Sequence, residues 1–241
     1  MKAVIDGDML AYKIGFACEV ETEWSNEIWT LHTNLAEMKR EVHVFLDRIR
    51  DVLEVDDFHI VFSPQTNFRY RLMPSYKEGR KGKRKPMGMK PLKRWIMQQL
   101  DGELAQDMEA DDLIGILCTR DPDNTIAVSG DKDFATLPIT WYNHLKGVMV
   151  TTTPEEAKYN HFVQTLAGDP VDGYSGVKGV GVKTAQKILD KGEPTWDTVV
   201  AAYEKADMTK EDALLNARLA YILHDKDYNN KTKEITLWQP S

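Results

Sequence analysis

Short β-branched runs that stop at acidic residues constrain this chain more than any other feature. KAVID (2–6) breaks off at Asp6, and NTIAVSGDKDF (124–134) runs an apolar stretch into Asp131 and Asp133. Runs this short and apolar read as strands buried on both faces. FHIVFS (58–63) is a third, and a short strand is expected near 103–107. Leu35, Met38, Val42, Phe45, Ile49 and Val52 recur at three- and four-residue spacing over 33–55, which predicts an amphipathic helix. Shorter helices are expected over 8–19, 90–100 and 109–118, and WSNEIWTLH (24–32) reads as a hairpin with Ser25-Asn26 at its tip. Strands alternating with helices imply an α/β fold with a mostly parallel central sheet.

The pattern changes near residue 153. Thr153, Pro154 and Glu156 supply a capping hydroxyl, a proline at the first helical position and the glutamate that completes a capping box. Gly168 is a natural stop, and two further helices are expected over 195–206 and 209–224. Residues 1–152 are therefore expected to form the α/β core, and 153–241 a helical subdomain.

In open α/β sheets the crevice lies beyond the carboxyl ends of the strands, so Asp6, Asp131 and Asp133 should face one site. EADD (109–112) opens a helix, which puts Glu109 and Asp112 on one face and Asp111 about 100° from Asp112. Acids at a helix start also complement the helix dipole, so EADD alone decides nothing. The accumulation decides more, because Asp169 and Asp172 add a further pair. So many carboxylates in one crevice repel unless cations neutralise them. Hard oxygen donors suit Mg²⁺ or Mn²⁺, and two such ions about 4 Å apart serve phosphodiester hydrolysis.

Residues 69–94 hold eleven Lys and Arg against one acid, Glu78, a local balance of +10. Subtracting this from the formal net charge of −7 leaves −17 on the rest of the chain. Prolines at 64, 74, 86 and 91 and glycines at 79, 82 and 88 keep 64–91 from being a regular central element, so it reads as a mobile cationic loop or arch. GVKGVGVKT (176–184) places Gly176, Gly179 and Gly181 ahead of a helix with Lys178, Lys183 and Lys187. The Walker spacing fails, and a helix rather than a strand precedes the glycines. A turn gripping a phosphate backbone through N–H groups and lysines fits better.

The ordered set VIDGD (4–8), NFRYRLMPSYKEGRK (67–81), EADD (109–112), SGDKDF (129–134) and GDPVDGYSGVKGVGVKTA (168–185) resembles the flap endonuclease and 5′-to-3′ exonuclease family. DGYSG and the closing EITLWQP are most similar to the stand-alone exonucleases of short-tailed DNA phages, and the lack of further chain fits that form rather than a polymerase fusion. The resemblance implies a PIN-like core, a helical arch over the active site (64–94), and a helix–two-turn–helix element (about 160–191) that grips duplex DNA with a bound K⁺. It implies Mg²⁺ or Mn²⁺, two ions. Asp6, Glu109, Asp111, Asp131 and Asp133 would hold the better-defined ion, and Asp112, Asp169 and Asp172 the second, directly or through water. Lys77 and Arg80 would reach the scissile phosphate. Tyr12 would stack on the terminal base beside Lys13, Arg69 would contact DNA, and Gly176, Lys178, Gly179, Gly181, Lys183 and Thr184 would grip the backbone. One departure stands out: relatives carry an Asp after the strand FHIVF, where this chain has Ser63-Pro64. Asp8 is a candidate substitute.

The implied activity is hydrolysis of duplex DNA from a 5′ end, with 5′ flaps and RNA primers in RNA–DNA hybrids as further substrates, during phage replication and DNA breakdown. A PIN-type ribonuclease and a non-catalytic structure-specific DNA-binding protein compete with it. Cys18 and Cys118 share no CxxC spacing, so neither a disulfide framework nor a zinc site is expected. No signal peptide or membrane-length apolar run is seen, so a cytoplasmic location in an infected host is expected, with no membrane and no obligate protein partner.

Overall fold

The computed structural model describes residues 1–25 and 27–240, so Asn26, expected at the hairpin tip, lies outside the described residues. Six strands form the central sheet: β1 (Lys2–Asp6), β4 (Asp57–Phe62), β5 (Glu103–Leu104), β6 (Thr125–Ser129), β7 (Thr140–Asn143) and β8 (Val148–Thr151). Their order is β5-β4-β1-β6-β7-β8, with every pairing parallel except β7 with β8. The expected mostly parallel sheet is present. The β7–β8 hairpin had no counterpart in the sequence reading. Strand β6 also ends sooner than 134, because Asp131 caps a 3₁₀ turn over Lys132–Thr136.

β1 is central, with Val4 opposite His59 on one side and Ala127 on the other. Its side chains alternate between two cores. Ala3 and Ile5 pack with Leu10, Met38, Val42, Ile49, Leu92 and Ile96 from α1 (Gly7–Ala17), α2 (Leu35–Leu53) and α4 (Met89–Gln99). Val4 packs with Val61, Ala127, Ile114 and Ile116, the last two from α5 (Ala110–Arg120). A strand covered on both faces has no need of polar alternation, which is why it reads as a continuous apolar run. The hairpin β2 (Glu19–Trp24) and β3 (Ile28–Thr33) stands apart from this sheet.

The basic segment is less free than its composition implies. Arg69–Leu72 form the short helix α3, Glu78–Arg80 a 3₁₀ turn, and Tyr76 between them is buried. Its one other regular element is the start of α4. The segment is a strap, docked along 69–80 and exposed from Lys81 to Lys85.

Beyond β8, α6 (Pro154–Ala167), α7 (Val182–Lys191), α8 (Trp196–Glu204) and α9 (Lys210–Ala220) enclose a third core around Phe162, Leu166, Leu189, Val199 and Tyr203. α6 starts with the expected capping box, in which Thr153 and Glu156 each accept from the other's backbone N–H. α9 ends four residues before 224. Tyr221, Ile222 and Leu223 leave the helix to pack in the core beside Ile114 and Leu137, so the C-terminal segment returns to the sheet instead of staying with the helices.

Candidate metal centre and nucleic-acid cleft

A cleft of about 210 Å³ opens beyond the carboxyl ends of β1 and β6. Glu109, Asp111, Asp131, Asp133, Asp169 and Asp172 line it, opposite Lys77 and Arg80 from the strap. Asp6 stands behind them. It caps α1 by accepting from Met9 N–H at 3.0 Å, and it also accepts from Ser129 Oγ at 3.2 Å. Burial pushes its carboxyl up to about 6, and the charges of Asp8 and Asp131 add to that rise. Ser129 Oγ in turn accepts from Asp131 N–H at 3.2 Å, so one buried serine braces the ends of both strands. Asp131 closes the loop by accepting from Asp133 N–H at 2.9 Å.

Asp111, partly buried on the first turn of α5, has its carboxyl raised by burial and then by Asp6, Asp131 and Glu109. Asp133 is pushed up to about 6, again chiefly by burial and then by Asp131. Glu109 differs. Burial raises its carboxyl, but Lys77 at 2.5 Å and Arg69 at 3.7 Å outweigh that effect and hold it below the usual carboxylate range. Tyr76, which sequence reasoning assigned no role, donates its hydroxyl within reach of Glu109 at 3.1 Å and Asp172 at 3.0 Å. The strap is further pinned to the Asp172 turn by Lys77 N–H to Asp172 O at 2.7 Å and by the Arg80–Asp172 ion pair. Asp169 accepts from Val171 and Asp172 N–H at 2.7 and 3.3 Å, shaping that turn.

Among the described residues no three His, Cys, Asp or Glu side chains already stand as a formed metal-ion site. The donor set nonetheless fits a hard divalent cation. It is all oxygen, and burial and mutual repulsion drive Asp6, Asp111 and Asp133 toward protonation, the strain that a bound cation relieves.

Three expected site residues are engaged within the fold. Asp112 is 0% exposed, and its carboxylate accepts from Arg69 in a bidentate pair at 2.6 and 2.9 Å. Glu109 N–H and Leu223 N–H occupy the same oxygens at 2.9 and 3.1 Å, leaving no lone pair directed at an ion in the cleft. Arg69 is 3% exposed at the cleft wall, donates further to Leu219 O and Tyr221 O, and stands 3.7 Å from Glu109, so its charge is spent within the fold. Gly176 is also buried: a Cβ there would lie 2.1 Å from Leu166 O, so glycine is required there for close packing.

The other expected contacts are accessible. Lys178, Gly179, Gly181, Lys183 and Thr184 are all exposed, and Gly179 takes a positive φ of 77° in open space. They form the second of two turns between α6 and α7, after the turn carrying Asp169 and Asp172. Tyr12 and Lys13 are exposed on α1, outside the cleft lining. Ser63, at the position of the expected Asp, plugs the start of α5 instead, its Oγ accepting from Ala110 N–H at 2.9 Å. Asp8 does not stand in for that carboxylate: its oxygens take Ser63 N–H at 2.7 Å and Lys93 Nζ at 2.5 Å.

Residues 2–164 match the family model described as 5′-3′ exonuclease, N-terminal resolvase-like domain. The chain belongs to the 5′-3′ exonuclease family. This exonuclease is 28% identical to the exonuclease of Escherichia phage T7, over 98% of its own length and 93% of the relative's. It is 26% identical to the exodeoxyribonuclease of Enterobacteria phage T3, over 98% and 92%. Its fold matches a phage T5 5′-exonuclease structure described as having divalent metal ions (zinc) bound, with a TM-score of 0.65, 15% identity and 91% and 89% coverage. It is a phosphodiester-hydrolysing nuclease of the exonuclease and flap-endonuclease type. No helix among its described residues is long and apolar enough to cross a membrane.

Proposed function

We propose that this nuclease acts on duplex DNA from a 5′ end, and on 5′ flaps and RNA primers of RNA–DNA hybrids, with Mg²⁺ or Mn²⁺ as cofactor. One observation carries the reading: acids beyond the carboxyl end of β6 and at the start of α5 share a cleft with two cations of the docked strap, with Asp6 buried behind them. Asp6, Glu109, Asp111, Asp131 and Asp133 would hold one ion, and Asp169 and Asp172 a second. When bound, such ions supply an activated water and neutralise the departing oxygen.

The chain's own groups do the rest. Ser129 orients Asp6 and Asp131, and Tyr76 ties Glu109 to Asp172 across the cleft. Lys77 and Arg80 bring fixed positive charge to where a phosphate enters. Burial disfavours charge on Lys77, but Glu109 and Asp172 outweigh it, so Lys77 stays cationic. Lys178, Lys183 and Thr184, with the N–H groups around Gly179 and Gly181, grip the duplex backbone, with a K⁺ ion in the turn. Tyr12 and Lys13 would meet the terminal nucleotide. The helices over 154–220 form the gripping unit and the α/β core the cutting unit. The setting fits DNA replication and breakdown in the cytoplasm of a phage-infected bacterium.

Digestion of 5′-labelled and 3′-labelled duplex, flap and hybrid substrates with Mg²⁺ tests this. The 5′ label should be released first on every substrate that is cut. Prior release of the 3′ label, or faster cleavage of single-stranded RNA than of duplex DNA, refutes the reading.

A further inference from the structure

Met9, the third residue of α1, belongs to none of the acidic motifs, yet it touches the frames of two acid-bearing strands. Its backbone N–H donates to Asp6 Oδ1 at 3.0 Å, at the end of β1. Its Sδ accepts from Gly130 N–H at 3.0 Å, in the loop that leaves β6 for Asp131. The next amide, Asp131 N–H, goes to Ser129 Oγ at 3.2 Å, and that hydroxyl lies 4.0 Å from the same sulfur. A Cβ at Gly130 would lie 2.8 Å from Met9 Sδ and 2.4 Å from Leu145 Cδ1, so the loop backbone rests directly on these two side chains. A thioether usually serves a core as an adaptable filler, and it is a weak acceptor. Here it also supplies direction, because a backbone N–H needs an acceptor along its own axis.

We propose that Met9 is a positioning residue for the divalent-ion site, setting the spacing between the Asp6 and Asp131 carboxylates. The inference rests on the cleft being the ion site proposed above. The ladder between β1 and β6 ends at Ile5 opposite Val128, so beyond that pair the sheet no longer sets where the two carboxylates stand. Met9 bridges the gap: its amide holds Asp6, and its sulfur holds the residue before Asp131. It does not line the cleft and touches no ion itself. Groups that stand one step behind the ligands tune metal affinity by about 10–100-fold.

Calorimetric titration of Mg²⁺ into the full chain without DNA tests it, on wild type, Met9→Leu and Met9→Gln, with Tm in EDTA as the measure of folding. Leucine conserves the volume but accepts no hydrogen bond, so Met9→Leu should keep its Tm in EDTA within about 4 °C of wild type. It should bind Mg²⁺ about 10-fold more weakly. Met9→Gln returns an acceptor to the Gly130 amide and should bind Mg²⁺ more tightly than Met9→Leu. A Met9→Leu chain that binds Mg²⁺ within roughly twofold of wild type overturns the inference and leaves the ion site standing. Equal losses in both variants, or a loss that tracks a fall in Tm in EDTA, assign Met9 to packing and overturn it too. A wild type that takes up no Mg²⁺ overturns the ion site and the inference together.

Discussion

Asp112→Asn separates a structural carboxylate from a metal ligand within a single motif. The native carboxylate holds the Arg69 guanidinium and two backbone N–H groups in a site that water does not reach. Removing its charge leaves Arg69 buried, with Leu219 O, Tyr221 O, a neutral amide oxygen and the more distant Glu109 as partners. Breaking one side of a buried ion pair costs about 3–5 kcal/mol. For a chain of this size each kcal/mol shifts Tm by about 2–4 °C, so the expected fall is about 6–20 °C. Urea or thermal unfolding in EDTA measures it, and Mg²⁺ titration of the folded variant measures the second readout. Asp112→Asn should unfold early and still bind Mg²⁺ when folded. Asp111→Asn should do the reverse, losing Mg²⁺ affinity while gaining stability in EDTA as one buried repulsion disappears. Adding Arg69→Met to Asp112→Asn removes the stranded cation, so the double variant should lose less than the sum of the singles, by about 1–3 kcal/mol. A wild-type Tm for Asp112→Asn together with lost Mg²⁺ affinity would show the carboxylate to be a ligand after all.

Asp6 and Asp133, raised from 3.8 to about 6, make a pH prediction with a definite sign. The folded state holds these protons more tightly than the unfolded chain, so their favourable contribution is whole below about pH 4 and gone above about pH 6. The Tm increase on adding Mg²⁺ should therefore be larger at pH 7.5 than at pH 5, and an equal or larger increase at pH 5 contradicts the assignment. Lys77→Ala should slow cleavage far more than it weakens duplex binding if, as proposed, its contact is with the reacting phosphate; comparable losses in single-turnover rate and in Kd argue against that role. Lys183→Ala should weaken duplex binding and reduce the slope of log K against log salt by about 0.9, the share of one phosphate contact, and an unchanged slope removes Lys183 from the backbone grip.

What the sequence made legible follows from how local each signal is. Strand and acid are adjacent in KAVID and TIAVSGDKD, so Asp6, Asp131 and Asp133 could be placed at one edge of the sheet from the sequence alone. The capping box at Thr153 lies within four residues and was equally readable. Asp112 misled because its position on the helix is local while its partner is not: Arg69 is 43 residues away and Leu223 is 111. Arg69 misled for the same reason, one arginine in a basic run being indistinguishable from the next until Leu219 and Tyr221 offer it carbonyls. The strap read as mobile because prolines and charge report backbone irregularity and say nothing of docking, which here comes from the buried Tyr76 ring and from Arg69, Lys77 and Arg80 pairing with acids far away in the chain.

The contact between Gly168 and Gly176 carries one more consequence. A Cβ on Gly168 would lie 2.1 Å from Gly176 N, and Val177 N–H closes onto Leu166 O at 2.8 Å. The loop bearing Asp169 and Asp172 is thus cinched at its neck, beside the turn that opens α7. On the proposed reading, grip and blade are forged as one piece. Such a tool meters the strand like a ruler: where the duplex is held dictates which phosphate meets the acids, and the step length becomes a property of the scaffold rather than of the encounter.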